Sequence, residues 1–133
     1  MRHPIDVEVA IAAFWAANTT LAATVLRFGR AAEADVLPYA IMNTSPGPGG
    51  RRGRAPERSV ATEYVTQRID LKVYSVGEYE CGLLSKAILD ELRDAEISGL
   101  LQFRVTDDGH PIEEQDRVWF WISRLEAEYA RSR

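Results

Sequence analysis

The chain has 133 residues, 46% of them hydrophobic, which is enough for one domain with a substantial core and too short for two. Its net charge of −4 at pH 7 gives no general electrostatic reason to bind nucleic acid. The only cysteine, Cys81, excludes a disulfide framework and a paired-thiol redox or zinc site. We therefore expect one domain over residues 1–133, made in the cytosol and without cofactor or metal.

The chain begins with a predicted helix from Pro4 to Ala17. Pro4 suits a first turn, and Asp6 and Glu8 place negative charge near the positive end of the helix. The apolar run from Val9 to Ala17 is too short to span a bilayer, so we expect no membrane partner. Apolar residues occupy more than one face of this helix. Burial between the sheet and loops is the favoured explanation, and partial burial against another subunit is the alternative.

The next predicted elements lead into a long hairpin. A short helical turn, capped by Asn18 or Thr19, is expected to continue through Val25 and Leu26. An extended stretch at 27–30 and a strand over 37–43 follow, and then a loop over 45–58 rich in Gly, Pro and Arg. The composition of this loop cannot by itself offset the entropy of ordering, so we expect it to be mobile in an isolated subunit.

A long strand is predicted from Ser59 to Val76, a stretch without Gly or Pro. Apolar residues occupy one parity of this strand and mainly polar residues the other, which is typical of a half-buried strand. At about 3.3 Å per residue it would reach nearly 60 Å if straight, whereas a domain of this length is about 35–40 Å across. The strand therefore either bends or projects, and we expect a long projecting hairpin with a basic tip.

The remaining elements complete an α+β pattern. A helix is predicted over 79–94, a strand over 100–106, an acidic hairpin loop over 107–116 and a last strand over 117–129. Alternation in the last strand places Trp119, Trp121 and Leu125 on one face. The order of elements predicts a mainly antiparallel β-sheet with two main α-helices packed on one face.

No catalytic constellation emerges from the side chains. The two histidines, His3 and His110, lie in no triad or metal-ligand spacing. The acidic loop does not follow the calcium-loop pattern, and the Gly-rich loop lacks the Lys-Ser/Thr ending of a phosphate loop. We therefore expect a protein that is not an enzyme.

The candidate contact residues are charged side chains in three segments, together with two tryptophans. Residues 46–58 carry four arginines and one glutamate, whereas residues 107–116 carry only acidic charge. The basic loop has three possible interpretations: a solvated loop, a protein-docking arm, or an arm that contacts the DNA backbone without recognising bases. Tryptophan is more often core than interface. The candidates are Arg51, Arg52, Arg54, Arg58, Arg68, Asp70, Lys72, Asp107, Asp108, Glu113, Glu114, Trp119 and Trp121.

An ordered series of segments carries a resemblance to a known family. An Ala-rich helix ends in Asn18-Thr19-Thr20-Leu21-Ala22-Ala23, followed by Arg27-Phe28-Gly29-Arg30 and Leu37-Pro38-Tyr39-Ala40-Ile41. After the basic loop come Gln67-Arg68-Ile69-Asp70-Leu71-Lys72-Val73-Tyr74-Ser75, a helix from Glu78 and a closing pair of strands. The series spans nearly the whole chain and resembles the tail-terminator, or tail-completion, proteins of long-tailed bacteriophages. None of its motifs is catalytic. The order of the segments supports the resemblance more strongly than any single segment does.

The resemblance implies a structural virion protein at the head-tail joint. Such proteins form a ring of identical subunits, usually a hexamer, that caps the head-proximal end of the tail tube, stops its polymerisation and meets the head-tail connector or stopper. The implied partners are the chain itself, the tube protein, the connector and genome DNA in the lumen, and assembly would take place in the cytoplasm of the bacterial host. The basic loop and acidic stretch depart from a typical member, which leaves two alternatives: another neck component, or a DNA-contacting accessory protein.

We also expect the basic and acidic segments to serve opposite sides of subunit contacts, because a ring joins one patch to a different patch on its neighbour. Arg68, Asp70 and Lys72 are expected to face a ring lumen or a subunit interface.

Overall fold

The computed structural model describes residues 4–31, 35–46, 62–93, 95–115 and 117–132. Within these ranges the chain forms three helices and five strands. In chain order they are α1 (Pro4–Ala17), α2 (Thr19–Ala22), β1 (Val25–Phe28), β2 (Tyr39–Pro46), β3 (Thr62–Val76), α3 (Glu78–Leu92), β4 (Gln102–Gln115) and β5 (Val118–Ser132).

The strands form one sheet in the order β1-β2-β3-β5-β4. β1 runs parallel to β2, and the other three pairs are antiparallel. The predicted α+β class with a mainly antiparallel sheet is confirmed.

The predicted hairpin is the β2–β3 pair. Tyr39 lies opposite Tyr74, and Pro46 lies opposite Gln67. The start of β3 extends beyond the end of β2, and there it pairs with the end of β5, from Thr62 opposite Ser132 to Thr66 opposite Glu128. The connection over 47–61, which contains the predicted basic tip, lies outside the described residues.

The core lies between one face of the sheet and the helices α1 and α3. Alternation in β3 buries the parity of Val65, Ile69, Leu71 and Val73, as predicted. Their partners Tyr129, Leu125 and Ser123 in β5 are buried on the same side. The core cluster comprises Val7, Ile11, Trp15, Leu21, Ala40, Met42, Val65, Ile69, Leu71, Val73, Ile88, Leu89, Leu92, Ile97, Phe103, Leu125, Ala127 and Tyr129. The opposite face of the sheet carries no helix of the described chain, and we call it the helix-free face.

The junction between α1 and β1 is shorter than predicted. Asn18 caps α2, since its Oδ1 accepts hydrogen bonds from the backbone N–H groups of Thr20 and Leu21, each at 3.0 Å. The predicted extension of this turn through Val25 and Leu26 is wrong, because both residues lie in β1 and pair with β2. The indole N–H of Trp15 donates to the carbonyl of Thr24 at 2.8 Å and anchors the junction.

The predicted acidic loop over 107–116 is also wrong. β4 continues through Gln115 with register shifts at three places, and the turn into β5 contains Arg117 at φ 69°. A bulge at Gly109, where φ is 90°, absorbs extra backbone and lets the strand resume its pairing. Pro111 is tolerated because β4 is an edge strand.

Candidate assembly surfaces

The predicted contact residues of β3 lie on the helix-free face. Arg68, Asp70 and Lys72 are half-buried there, and their neighbours in β5 are Glu126, Arg124 and Ile122. The Nε of Arg124 lies 3.3 Å from Oδ1 of Asp70. This pair is substantially exposed, so we expect it to contribute less than about 1 kcal/mol to stability. The pair places opposite charges side by side on this face and adds little to the stability of the fold.

A row of aromatic side chains crosses the same face at the end of the sheet where β3 terminates. The rings of Tyr39 and Tyr74 stack with centroids 5.0 Å apart, and Tyr74 meets Phe120 at 5.1 Å. The Nζ of Lys72 lies 5.4 Å from the centre of the Phe120 ring, within cation–π range. Sequence reasoning missed this row. Alternation along β3 showed which face Tyr74 occupies, but the alignment of Tyr74 with Tyr39 and Phe120 depends on strand register.

Burial and nearby acids affect the two tyrosines of this row. Burial raises the pKa of Tyr74 above its ordinary value, and the charge of Glu114 raises that pKa further. The pKa of Tyr39 is raised by burial first and then by the charges of Glu114 and Asp35. Glu114 is thus close enough to the aromatic row to act on it electrostatically, which puts an acidic group beside this end of the helix-free face.

The predicted acidic residues do not form one cluster. Asp107 lies opposite Arg124, whereas Glu113 lies opposite Trp119, further along β5. Asp108 forms an ion pair of 2.8 Å with Arg93 of the α3 C-terminus, and its backbone oxygen accepts from Trp121 and Ser123. Among the described residues, no group of three or more His, Cys, Asp or Glu side chains could hold a metal ion.

The two predicted tryptophans lie on the helix-bearing side of β5 and are half-buried. The ring of Trp121 contributes to a groove of about 410 Å³ between α3 and the β4–β5 hairpin. We call it the α3 groove, and its lining residues are Glu78, Tyr79, Gly82, Leu83, Lys86, Pro111 and Trp121. Tyr79 is 74% exposed and Leu83 50% exposed, so the groove presents apolar surface to solvent. Sequence reasoning missed this groove, because it depends on how α3 packs against the β4–β5 hairpin.

A second apolar surface lies on α1. Val7, Ile11 and Trp15 face the core, whereas Val9, Ala12, Ala13 and Ala16 are exposed on the opposite side. We call these four exposed residues the α1 outer face. Val9 is 62% exposed, and no charged residue interrupts the run from Val9 to Ala17. Burial between the sheet and loops, the favoured sequence-based explanation, therefore accounts for only one side of α1.

Four of the predicted contact residues, Arg51, Arg52, Arg54 and Arg58, lie outside the described residues. His3 lies outside them as well, and His110 is exposed on the outer strand β4 opposite Ile122.

None of the helices that the structure describes has both the length and the hydrophobicity to cross a membrane. No protein-family model matches the chain, and a search of curated proteins returned no significant match.

Proposed function

We propose that this protein is a structural virion protein of a long-tailed bacteriophage, forming a ring at the head-proximal end of the tail tube. In this role the ring terminates tube polymerisation and joins the tail to the head connector. The proposal combines the resemblance of the ordered segments with the apolar surface that the isolated subunit leaves exposed. Each subunit would be made in the cytoplasm of the bacterial host and end in the neck of the virion.

The observation that carries the proposal is the one-sided burial of α1. A helix that is apolar on all sides is typical of a helix buried on all sides. Here Val9 and the alanines of the α1 outer face remain in solvent. A surface of this kind is typical of a contact with another chain, and it supports assembly of the subunit into a larger particle.

The helix-free face supports the same role. The alternating charges of Arg68, Asp70 and Lys72 lie beside the aromatic row, in which Tyr39 and Phe120 are partly exposed and Tyr74 is buried. The face therefore presents both charged and apolar groups. Interfaces commonly have an apolar centre and a polar rim. In the ring, this face would meet a neighbouring subunit, the tube or the lumen.

Native mass spectrometry with a tube-assembly assay tests the proposal. We expect either a particle of about six times the 14.9 kDa subunit mass, or a monomer that becomes ring-sized when tail tubes are added. Tube protein from the same genome, polymerised with this chain present, should give capped tubes that stop growing. A chain that stays monomeric with tubes and leaves their growth unchanged would show the proposal to be wrong.

The same preparation separates the two alternatives. A chain that binds the head connector but never the tube end would be another neck component. A chain retained on DNA at low salt and released as salt rises, with no effect on tubes, would be a DNA-contacting accessory protein, because phosphate contacts weaken with salt.

A further inference from the structure

We infer that the α1 outer face of one copy seats in the α3 groove of a second copy. The inference rests on the proposed ring and names the contact that joins its subunits.

The two surfaces are complementary in shape. The α1 outer face consists of alanines and one valine, so another chain can approach the helix backbone closely. The α3 groove is concave, about 410 Å³ in volume, with Tyr79 and Leu83 of α3 on one side and Pro111 and Trp121 of the hairpin on the other. A smooth helix of small side chains is a shape that such a groove accepts, as in other helix-in-groove contacts.

One charge of the α3 groove suits the C-terminal end of α1. The last turn of α1 carries no basic residue, so nothing on that turn offsets the negative end of the helix dipole. Lys86 and Glu78 both line the α3 groove and are exposed, and no ion pair involves either of them within the described part of the chain. A helix seated in the groove with its C-terminal end towards Lys86 would therefore gain a favourable charge interaction. The α1 outer face itself brings no charge that the groove would have to desolvate.

A second copy explains both surfaces at once. Repetition of one contact covers the α1 outer face and the α3 groove on successive subunits. A foreign partner bound to either surface would leave the other in solvent. The contact joins two different patches, and this is the kind of interface from which closed rings are built. One helix in one groove is smaller than the ~800 Å² per partner of a standard interface, so chemical cross-linking is the suitable measurement.

The test uses two variants with one new cysteine each, Ala13→Cys on the α1 outer face and Leu83→Cys in the α3 groove. The native Cys81 is fully buried, so wild-type protein serves as the uncross-linked control. Oxidation of an equimolar mixture should give a disulfide-linked dimer that contains one copy of each variant. Each variant oxidised alone should give far less dimer. No mixed dimer at any protein concentration, or equal yields from the single variants, would overturn the inference.

A charge variant gives an independent readout. Ala13→Glu introduces a charge into the contact and should weaken self-association by about tenfold or more, because desolvation of an unpaired charge is costly. Ala23→Glu makes the same change at an exposed position outside both surfaces and should leave association unchanged. Equal association constants for the two variants would contradict the inference.

These experiments distinguish failure of the proposed contact from failure of the proposed ring. Ring-sized particles without the mixed disulfide would leave the proposed function standing and exclude this contact. The mixed disulfide in a protein whose native mass never exceeds a dimer, with or without tail tubes, would support the contact and exclude the ring.

Discussion

At the scale of single residues, the bulge in β4 depends on Gly109. Its φ of 90° is a conformation that residues with a side chain rarely adopt. A Cβ at this position would clash with the backbone carbonyl of Ile122, so the close approach of β5 also requires glycine. Asp107 supports the bulge, since its Oδ1 accepts from the N–H of Gly109 at 2.9 Å.

We predict that Gly109→Ala lowers the free energy of unfolding by about 3 kcal/mol or more, because backbone strain and a steric clash add. Gly29→Ala is the matched control, since Gly29 has a φ of 92° and nothing within 4 Å of the added Cβ. That variant should lose only the strain, about 1–2 kcal/mol. Urea denaturation of both variants gives the comparison, and equal losses would mean that β5 moves aside without cost.

The thiol of Cys81 is chemically protected by the core. Cys81 is fully buried, its Sγ donates to the carbonyl of Val73 at 3.3 Å, and burial raises the pKa of the thiol. Because the thiolate is the reactive form, we predict no reaction of native protein with a thiol-specific reagent at pH 8. Full reaction is expected in concentrated urea. Rapid labelling without denaturant would show that α3 opens readily.

The pKa of Tyr74 predicts a loss of stability in alkali. Burial and the charge of Glu114 raise it above the unfolded value of 10.0, so the folded state holds the phenolic proton more tightly. The resulting stabilisation is complete below pH of about 10 and is lost as pH rises through the folded-state pKa. Urea midpoints across this range should fall less steeply for Tyr74→Phe than for wild type.

Tyr64→Phe is the control for this measurement, because Tyr64 lies on the same face but outside the aromatic row. It should follow the wild-type curve. If Tyr74→Phe also follows that curve, the phenol of Tyr74 has no part in the alkaline transition.

At the scale of elements, local sequence signals predicted α1 and β3. Pro4 and the acidic first turn indicated α1, and the alternation of apolar and polar residues indicated β3. The helix from Pro4 to Ala17 has the predicted bounds, and the buried parity of β3 is the predicted one. The prediction for β4 was wrong because Asp, Gly and Pro at 107–111 favour a turn when only neighbouring residues are considered. Pairing with β5 overrides that preference, since a bulged edge strand accommodates the same residues.

The cross-strand pair of Ile69 and Leu125 tests how much the centre of the sheet contributes. Both are fully buried and lie opposite each other. We predict that Leu125→Ala costs about 2–5 kcal/mol, because the helices above cannot collapse fully into the cavity. Val25→Ala, at a residue that is 45% exposed on the edge strand, should cost under about 1 kcal/mol. Similar urea midpoints for the two variants would contradict this placement of the core.

At the scale of the whole molecule, two lysines report on the two sides of the subunit. Lys72 lies on the helix-free face and Lys86 in the α3 groove, and the chain has no other lysine. We predict that acetylation of both is slower in the assembled particle than in the monomer, as read by peptide mass spectrometry. Unchanged labelling of Lys72 would argue that the helix-free face takes no part in assembly.

The basic loop makes a further prediction at this scale, which rests on the sequence. Reversal of charge at Arg51, Arg52 and Arg54 to Glu should weaken assembly and infectivity at physiological salt, because the loop is expected to contact acidic surface on a neighbour. Replacement of the same residues by Gln should have a smaller effect. Assembly and infectivity that survive charge reversal would exclude this role for the loop.

The sequence by itself determined the order of elements, the α+β class and the buried parity of β3, because helix and strand periods are properties of neighbouring residues. Only the tertiary structure decided which distant residues meet. Strand register aligned Tyr39, Tyr74 and Phe120, and pairing with β5 drew the acidic stretch into a strand. The packing of α1 on the sheet left its outer face in solvent. Such features depend on contacts between residues far apart in the chain, which local patterns do not encode.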